Sequence, residues 1–238
     1  MGYMGYMRHT MFFLMGMLLF MTCCALILMW MMWMLMTNQH PYVVKEIPNF
    51  LTHAECDRII ERARAAGIMP SRVYGNTSDD VSMNVRMSEQ AWLSDDSNDS
   101  DPVVQSITKR VSELTNYPKS HQEKLQVVHY GVGGKFTPHY DACDSSKNDC
   151  SRFGSQRLAT LLIYLNDDFE GGGTRFPKID KTVVPEKGKA VLFYNIDSTT
   201  WAHTIIPESL HEGLPILHGE KWVANKWVRV EPFTFVAS

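Results

Sequence analysis

Three hydrophobic patterns succeed one another along the chain. The first is unbroken: Met11 to Met36 is 26 residues without a formal charge, rich in Phe, Leu, Met and Trp. A bilayer core takes about 20 consecutive apolar residues, so this run is long enough for a helix that spans with some tilt. Trp30 and Trp33 fall near its C-terminal end, where an interfacial aromatic belt is expected. The run is too long for an ordinary signal h-region, and no small-x-small cleavage site comes after it. The expectation is an uncleaved transmembrane helix over 11–36, after a short tail at 1–10 and before a stalk at 37–48.

The second pattern has the period of a helix. Thr52-x-x-Glu55 is a capping box, and Cys56, Ile59, Ile60 and Ala63 form one apolar stripe through about Ala66. Gly67 suits the C-cap. Residues 71–101 read as polar and irregular, with a strand signal around Val81–Met87 and a solvated acidic loop over Ser94–Asp101. Asp101-Pro102 then opens a second helix with proline at its first position, and Val104, Ile107, Val111 and Leu114 supply the buried stripe.

From Lys124 the pattern changes again. Short β-branched and aromatic runs recur between Gly, Pro and Asp: Leu125–Tyr130, Phe136–Asp141, Arg157–Leu165, Thr174–Phe176, Ala190–Tyr194, Trp201–Ile206 and Lys221–Val230. Helices and then about eight strands predict a mainly β domain, an antiparallel sandwich or jelly roll with helices braced on one sheet. The domain runs over 49–238, with helical support at about 49–120 and the β core at about 124–232.

Composition adds little to this. A net charge of −3 and the lack of any basic stripe exclude a nucleic-acid surface. Arg8 before the apolar run and Lys45 after it place the N-terminus on the cytoplasmic side. That orientation makes the chain a single-pass type II protein with a lumenal domain, in the endoplasmic reticulum or its equivalent. The sequons at Asn76 and Asn98 fit that side. Cys143 and Cys150 flank an acidic loop and either pair or stay free.

The candidate chemistry centres on His139-x-Asp141. Side chains two apart on a strand share a face, so this pair can bind one metal ion. A third ligand has to come from a distant strand, and His129, His203, His211 and His218 are the candidates. His129 precedes Tyr130 and points to the opposite face. His211 is favoured by the segment ten residues downstream, where Lys221-Trp-Val-Ala-Asn225-Lys-Trp227 puts a cation, an amide and an aromatic on one face. Two neutral imidazoles and a carboxylate hold one side of a ferrous ion and leave the other open. Lys221 then offers a fixed cation to a doubly charged acid such as 2-oxoglutarate. The set points to an oxygenase using iron, O2 and an oxoacid.

Five ordered blocks carry a resemblance. They are Tyr130-Gly-Val-Gly-Gly-Lys-Phe-Thr-Pro-His139-Tyr-Asp141, Arg157-Leu-Ala-Thr-Leu-Leu-Ile-Tyr-Leu-Asn166, Glu170-Gly-Gly-Gly-Thr174-Arg-Phe-Pro177, Lys187-Gly-Lys-Ala-Val-Leu-Phe-Tyr194 and Lys221-Trp-Val-Ala-Asn-Lys-Trp227. Over about residues 42–232 the chain resembles the catalytic domain of prolyl 4-hydroxylases. The resemblance implies a double-stranded β-helix (jelly-roll) core and hydroxylation of proline in proline-rich or collagen-like peptides, with release of succinate and CO2. It implies Fe(II) on His139, Asp141 and His211, with 2-oxoglutarate, O2 and L-ascorbate as partners of the reaction. Lys221 would meet the distal oxoacid carboxylate, assisted by Tyr130 and Thr174, while Arg157 and Trp227 would face the substrate. Arg229 departs from the family, which often carries His there. Two other readings compete: a non-catalytic anchored module for proline-rich chains, and a related oxygenase acting on another side chain. The loop before Asp101 and the loop at 142–156 are expected to close over a bound peptide.

Overall fold

The computed structural model describes residue 17 and residues 20–30, 44–71, 86–95, 101–143, 155–197 and 203–232. It divides into two units, Met1–Pro41 and Tyr42–Ser238. In the first, residues 20–30 are helical, with nearly all side chains exposed. Eleven helical residues extend about 16 Å, roughly half the hydrocarbon core of a bilayer. Among the described residues no helix is long and apolar enough to cross a membrane. This overturns the expected type II lumenal placement, which takes the length of the uncharged apolar run as the length of a spanning helix. The remainder of 11–36, the tail, most of the stalk and both sequons lie outside the described residues.

In the second unit the capping box forms as its spacing predicts. Thr52 Oγ1 accepts from the Glu55 amide at 3.2 Å, and the Glu55 carboxylate accepts from the Thr52 amide at 2.8 Å. Helix α1 (His53–Ala66) ends at Gly67, whose φ of 82° is one that glycine adopts without strain. Asp101 caps helix α2 (Pro102–Thr115) by accepting from the Val103 amide at 2.9 Å. The buried face of α2 includes Thr108 and Thr115 as well as Val104, Ile107 and Val111. Both threonine hydroxyls are satisfied in the interior: Thr115 Oγ1 donates to the Val111 carbonyl one turn earlier, and Thr108 Oγ1 donates to Asp95.

The strands are β1 (Lys45–Ile47), β2 (Met69–Pro70), β3 (Glu89–Leu93), β4 (Leu125–Tyr130), β5 (Phe136–His139), β6 (Arg157–Tyr164), β7 (Glu170–Gly171) and β8 (Thr174–Phe176). They continue as β9 (Lys181–Val183), β10 (Ala190–Tyr194), β11 (Ile196–Asp197), β12 (Thr204–Ile205), β13 (His211–Gly213), β14 (Ile216–His218) and β15 (Lys221–Arg229). A seven-stranded antiparallel sheet has the order β1-β10-β6-β15-β4-β3-β2, and a four-stranded one the order β5-β13-β8-β9. The fold is mainly β with few helices, as a jelly roll requires.

Alternation along the long strands makes two cores. Ala91, Leu93, Val127, Leu161, Ile163, Ala224 and Val228 pack with Ile59, Ile107 and Val111 of the helices. On the opposite face Val128, Tyr130, Leu162, Tyr164 and Val223 pack with Phe176 and Val183 of the smaller sheet. The candidate site lies on this second, inner face.

Three expectations change. The region 71–101 contains β3, whose alternation lasts only five residues; Arg86 makes an isolated bridge to Phe136, and 81–85 lie outside the described residues. Asp95 and Asp101, expected in a solvated loop, are buried at 9% and 6% exposure. Asp95 accepts from Thr108 Oγ1 and sits beside Lys119 and Lys226, and Asp101 accepts from Arg58 Nε at 2.8 Å, so each buried charge has partners. Strand β5 stops at His139, so Asp141 lies in a bend after it rather than continuing it.

Asp101→Ala removes both a helix cap and an ion pair. It is expected to cost about 1–2 kcal/mol of stability, read as a lowered urea midpoint at unchanged m-value.

Candidate functional site

His139 ends β5 and His211 begins β13, and the two residues are direct cross-strand partners. Their ring centroids are 4.3 Å apart. Each ring is oriented by the backbone two residues before it. His139 Nδ1 lies 2.8 Å from the Thr137 carbonyl oxygen, and His211 Nδ1 lies 2.9 Å from that of Ser209. A carbonyl only accepts, so both protons sit on Nδ1 and both Nε2 lone pairs are left for another partner. Those Nε2 atoms face Asp141, His139 at 3.9 Å from Oδ1 and His211 at 3.8 Å from Oδ2. These gaps are too long for hydrogen bonds. The ligand atoms of all three residues lie within 4.8 Å of one another, as around one ion.

The electrostatics agree. Burial, reinforced by the neighbouring His211, lowers the His139 pKa to about 3, so its imidazole is neutral at physiological pH. Burial would raise the Asp141 carboxyl, but His211, His139 and Arg157 outweigh it and hold it below the ordinary carboxylate range. Two imidazole nitrogens and one carboxylate converging in this way are the donor set of an open ferrous site.

Asp141 is itself held in place. Its Oδ2 accepts from Thr160 Oγ1 at 2.7 Å and from Trp227 Nε1 at 2.9 Å. Thr160 Oγ1 in turn accepts from Asn195 Nδ2 at 2.9 Å. Arg157 lies flat on Trp227, its guanidinium carbon 3.6 Å from the ring centroid, and Nη1 is 4.0 Å from Asp141 Oδ1. The same guanidinium grips Glu123 through two bonds of 2.6 and 2.9 Å. Glu123 also accepts from Arg229 Nε at 2.9 Å. Arg229 thus joins the Glu123–Arg157 cluster, and it also donates to the Ser155 carbonyl at the edge of the 142–156 loop. Arg157 and Trp227, expected at the substrate side, both reach the Asp141 carboxylate.

Lys221 opens β15 opposite Tyr130. It is 3% exposed, and Nζ donates to the Gly172 carbonyl at 2.5 Å. Its other neighbours are aromatic faces, Tyr164 at 5.4 Å and Tyr130 at 5.7 Å to the ring centroids. Among the described residues no carboxylate pairs with it. Burial lowers its pKa to about 7. A buried cation without a counter-ion is costly unless something anionic enters. Thr174 is tied to this pocket by the Tyr164 hydroxyl, which donates to its Oγ1 at 2.7 Å. Gly172 is required beside the lysine: its φ is 65°, and a Cβ there would lie 2.5 Å from Ile216 Cδ1 and 3.2 Å from Lys221 Cδ.

The structure therefore brings His139, Asp141, His211 and Arg157 with Trp227 to one end of the inner face. At the other end it gathers Lys221, Tyr130 and Thr174. Thr160, Asn195, Glu123 and Tyr164 escape the sequence reading. Thr160 and Tyr164 carry a signal, since both alternate with the helix-side residues Ala159, Leu161 and Ile163 of β6. The other three candidate histidines stand apart from this cluster: His129 pairs with Glu89 and Glu220, at 3.0 and 2.8 Å. Cys143 is disulfide-bonded; Cys150, whose pairing with it the sequence left open, and the bulk of the 142–156 loop lie outside the described residues.

Comparison with known proteins agrees with this geometry. The sequence signature of the 2OG-Fe(II) oxygenase superfamily matches residues 125–229. A putative prolyl 4-hydroxylase of Acanthamoeba polyphaga mimivirus is 34% identical over 197 residues, covering 82% of this chain and 76% of that protein. The chain belongs to the prolyl 4-hydroxylase family of 2OG-Fe(II) oxygenases. Prolyl 4-hydroxylase 5 of Arabidopsis thaliana is 35% identical over 204 residues, covering 78% of this chain and 67% of the relative. The viral collagen prolyl hydroxylase of Paramecium Bursaria Chlorella virus-1, solved as a 2OG complex, superimposes with a TM-score of 0.62 at 33% identity. That match covers 79% of this chain and 96% of the viral one. As a family member the chain is a 2-oxoglutarate-dependent dioxygenase using Fe(II), 2-oxoglutarate and O2.

Trp227→Phe keeps the ring beneath Arg157 but deletes the N–H that holds Asp141. Loss of such a supporting bond typically weakens metal binding by roughly 10- to 100-fold. Anaerobic Fe(II) titration by calorimetry is expected to show a weakening of this order at unchanged stoichiometry.

Proposed function

We propose that this chain hydroxylates proline to 4-hydroxyproline in extended proline-rich or collagen-like peptides, and that it converts 2-oxoglutarate to succinate and CO2 in the same turnover. One oxygen atom of O2 enters the proline and the other the succinate. The observation that carries this reading is the buried Lys221 ammonium, with no carboxylate partner among the described residues, on the same inner face as the convergent His139, Asp141 and His211.

The donor set fits a ferrous ion, which would be held by His139 Nε2, Asp141 and His211 Nε2. Bound there, Fe(II) supplies the activation of O2 that couples loss of CO2 to oxidation of a C–H bond. The rest is the protein's part. Thr137 and Ser209 hold the imidazole tautomers, while Thr160 and Trp227 hold the carboxylate. Lys221 takes the distal carboxylate of the oxoacid, with the Tyr130 hydroxyl and Thr174 beside it. The dianion and Asp141 together balance the ferrous ion and Lys221, so the filled pocket is neutral, as a buried site requires. Arg157 and Trp227 form the wall between the metal carboxylate and the peptide. Polyproline II chains have no internal hydrogen bonds and present their rings in an extended register suited to such a wall. L-ascorbate is assigned as the reductant that restores Fe(II) after uncoupled turnovers.

The direct assay incubates the chain with Fe(II), 2-oxoglutarate, ascorbate and a panel of proline-rich peptides. The expected product gains one oxygen atom on proline, with one succinate per hydroxylation. Succinate release that is independent of peptide, with no modified proline, would sink the reading. Asp141→Ala is expected to abolish turnover.

Lys221→Ala removes one side of a buried charge pair, a loss of roughly 2–5 kcal/mol, or about 30-fold or more in the KM for 2-oxoglutarate. The pH dependence comes from the sign of the shift. Lys221 must be charged to hold the carboxylate, and in the free protein its pKa is about 7. Below that pH it is already protonated; above it, binding has to take up a proton. The KM for 2-oxoglutarate is therefore expected to rise by up to about tenfold per pH unit above neutrality, and to lose this dependence in Lys221→Ala.

A further inference from the structure

Asn166 is 8% exposed and lies just beyond the end of β6. Strands β6 and β15 pair with Tyr164 opposite Val223. Carried two places further, that register sets Asn166 opposite Lys221. Main-chain pairing continues to the bond from the Leu165 amide to the Trp222 carbonyl, at 2.9 Å. There the Asn166 carboxamide takes over the ladder. Its Nδ2 donates to the Glu220 carbonyl at 2.8 Å, and its Oδ1 accepts from the Trp222 amide at 2.7 Å. One side chain thus holds the peptide units on both sides of Lys221. On the other edge of β15, Lys221 is paired with Tyr130.

The partners specify an amide atom by atom. Nδ2 also donates to Asp168 Oδ1 at 2.7 Å. A carbonyl and a carboxylate only accept, and a main-chain amide only donates, so these three partners use both N–H groups and the oxygen of an asparagine. An aspartate has the same shape but would set a carboxylate against two acceptors.

The segment that begins at Asn166 ends at Gly172, whose carbonyl accepts from Lys221 Nζ. The turn before Lys221 lies against this segment. It passes through Gly219 at φ 80°, where a Cβ would stand 3.1 Å from the Asp168 carbonyl oxygen and from Phe169 Cβ. One short stretch of chain therefore fixes both ends of the lysine, its main chain through Asn166 and its ammonium through Gly172. Lysine carries its charge on a flexible four-carbon stem, so the charge keeps one place only when both ends are held.

We propose that Asn166 is a positioning residue for the oxoacid. By clamping the main chain on both sides of Lys221, it sets where the ammonium meets the distal carboxylate, and through Lys221 it sets the affinity for 2-oxoglutarate. The inference rests on the pairing of Lys221 with 2-oxoglutarate proposed above.

The test is anaerobic calorimetric titration of 2-oxoglutarate into the full chain loaded with Fe(II). Asn166→Ala leaves a buried amide and carbonyl without partners and is expected to weaken 2-oxoglutarate binding about tenfold. Asn166→Asp, which keeps the volume but loses the donor, should weaken it at least as much. Fe(II) affinity should hold in both, which also reports an intact fold. Because the effect passes through Lys221, adding Asn166→Ala to Lys221→Ala should weaken binding no further than Lys221→Ala alone, whereas independent losses would multiply. A further tenfold loss in the double variant overturns the positioning role. So does wild-type affinity for 2-oxoglutarate in either single Asn166 variant, or an Fe(II) affinity that falls in step with it, which marks a general loosening. These outcomes leave the Lys221 assignment standing so long as Lys221→Ala itself weakens 2-oxoglutarate. If Lys221→Ala binds the oxoacid as wild type does, that assignment fails and the role of Asn166 with it.

Discussion

Asp141 is where the chemistry and the architecture of this fold meet. Its carboxylate is 8% exposed and faces two imidazole nitrogens across gaps that a hydrogen bond does not fill. A pair of backbone carbonyls behind the rings, at Thr137 and Ser209, fixes the orientation of both imidazoles, so that each Nε2 is turned to the carboxylate. What keeps the carboxylate aimed at them is the Thr160 hydroxyl and the Trp227 indole, from two adjacent strands of the main sheet. The candidate ligands come from the smaller sheet and the bend after β5, and the props from the larger one. Apposition of the two inner faces is therefore a condition for the site, and the packing of Phe176 and Val183 against the large-sheet residues Tyr164 and Leu162 supplies it.

Lys221 poses the complementary problem at the far end of the same face. Its pKa is depressed because burial strips water from the ammonium, and among the described residues no carboxylate compensates it. The fold tolerates it through one carbonyl and two aromatic faces, which solvate a cation only weakly. In the proposed function, a dicarboxylate that also chelates a divalent ion resolves both ends together. An electrostatic cost of this kind, relieved by the ligand, is what makes a buried ammonium a recognition device rather than a defect.

Much of the site was legible in the sequence because its signals are local. The capping box of α1, the His139-x-Asp141 pair and the Lys221-to-Trp227 face are all readable within a few residues. Strand pairing then brings His211 opposite His139, which no local pattern states. The supporting groups were illegible for that reason: Thr160, Asn195 and Glu123 matter only through partners on other strands. Arg157 illustrates a second obstacle. Simple alternation would turn it toward the helices with Ala159, but the register slips between Val228 and Arg229, with Leu158 as the extra residue, and the guanidinium lands over Trp227. Asp95 and Asp101 show a third. An acidic run reads as solvated until the helix it caps and the lysines and arginine that meet it are known. The apolar run at 11–36 shows a fourth, because composition gives no helix length.

The most direct test of the account is an anaerobic crystal structure of the chain with Mn(II) and 2-oxoglutarate. The account predicts a single metal peak bound by His139 Nε2, the Asp141 carboxylate and His211 Nε2, with the distal carboxylate of the oxoacid on Lys221 Nζ. A metal that lacks the His211 imidazole, or an oxoacid whose distal carboxylate lies away from Lys221, would contradict it.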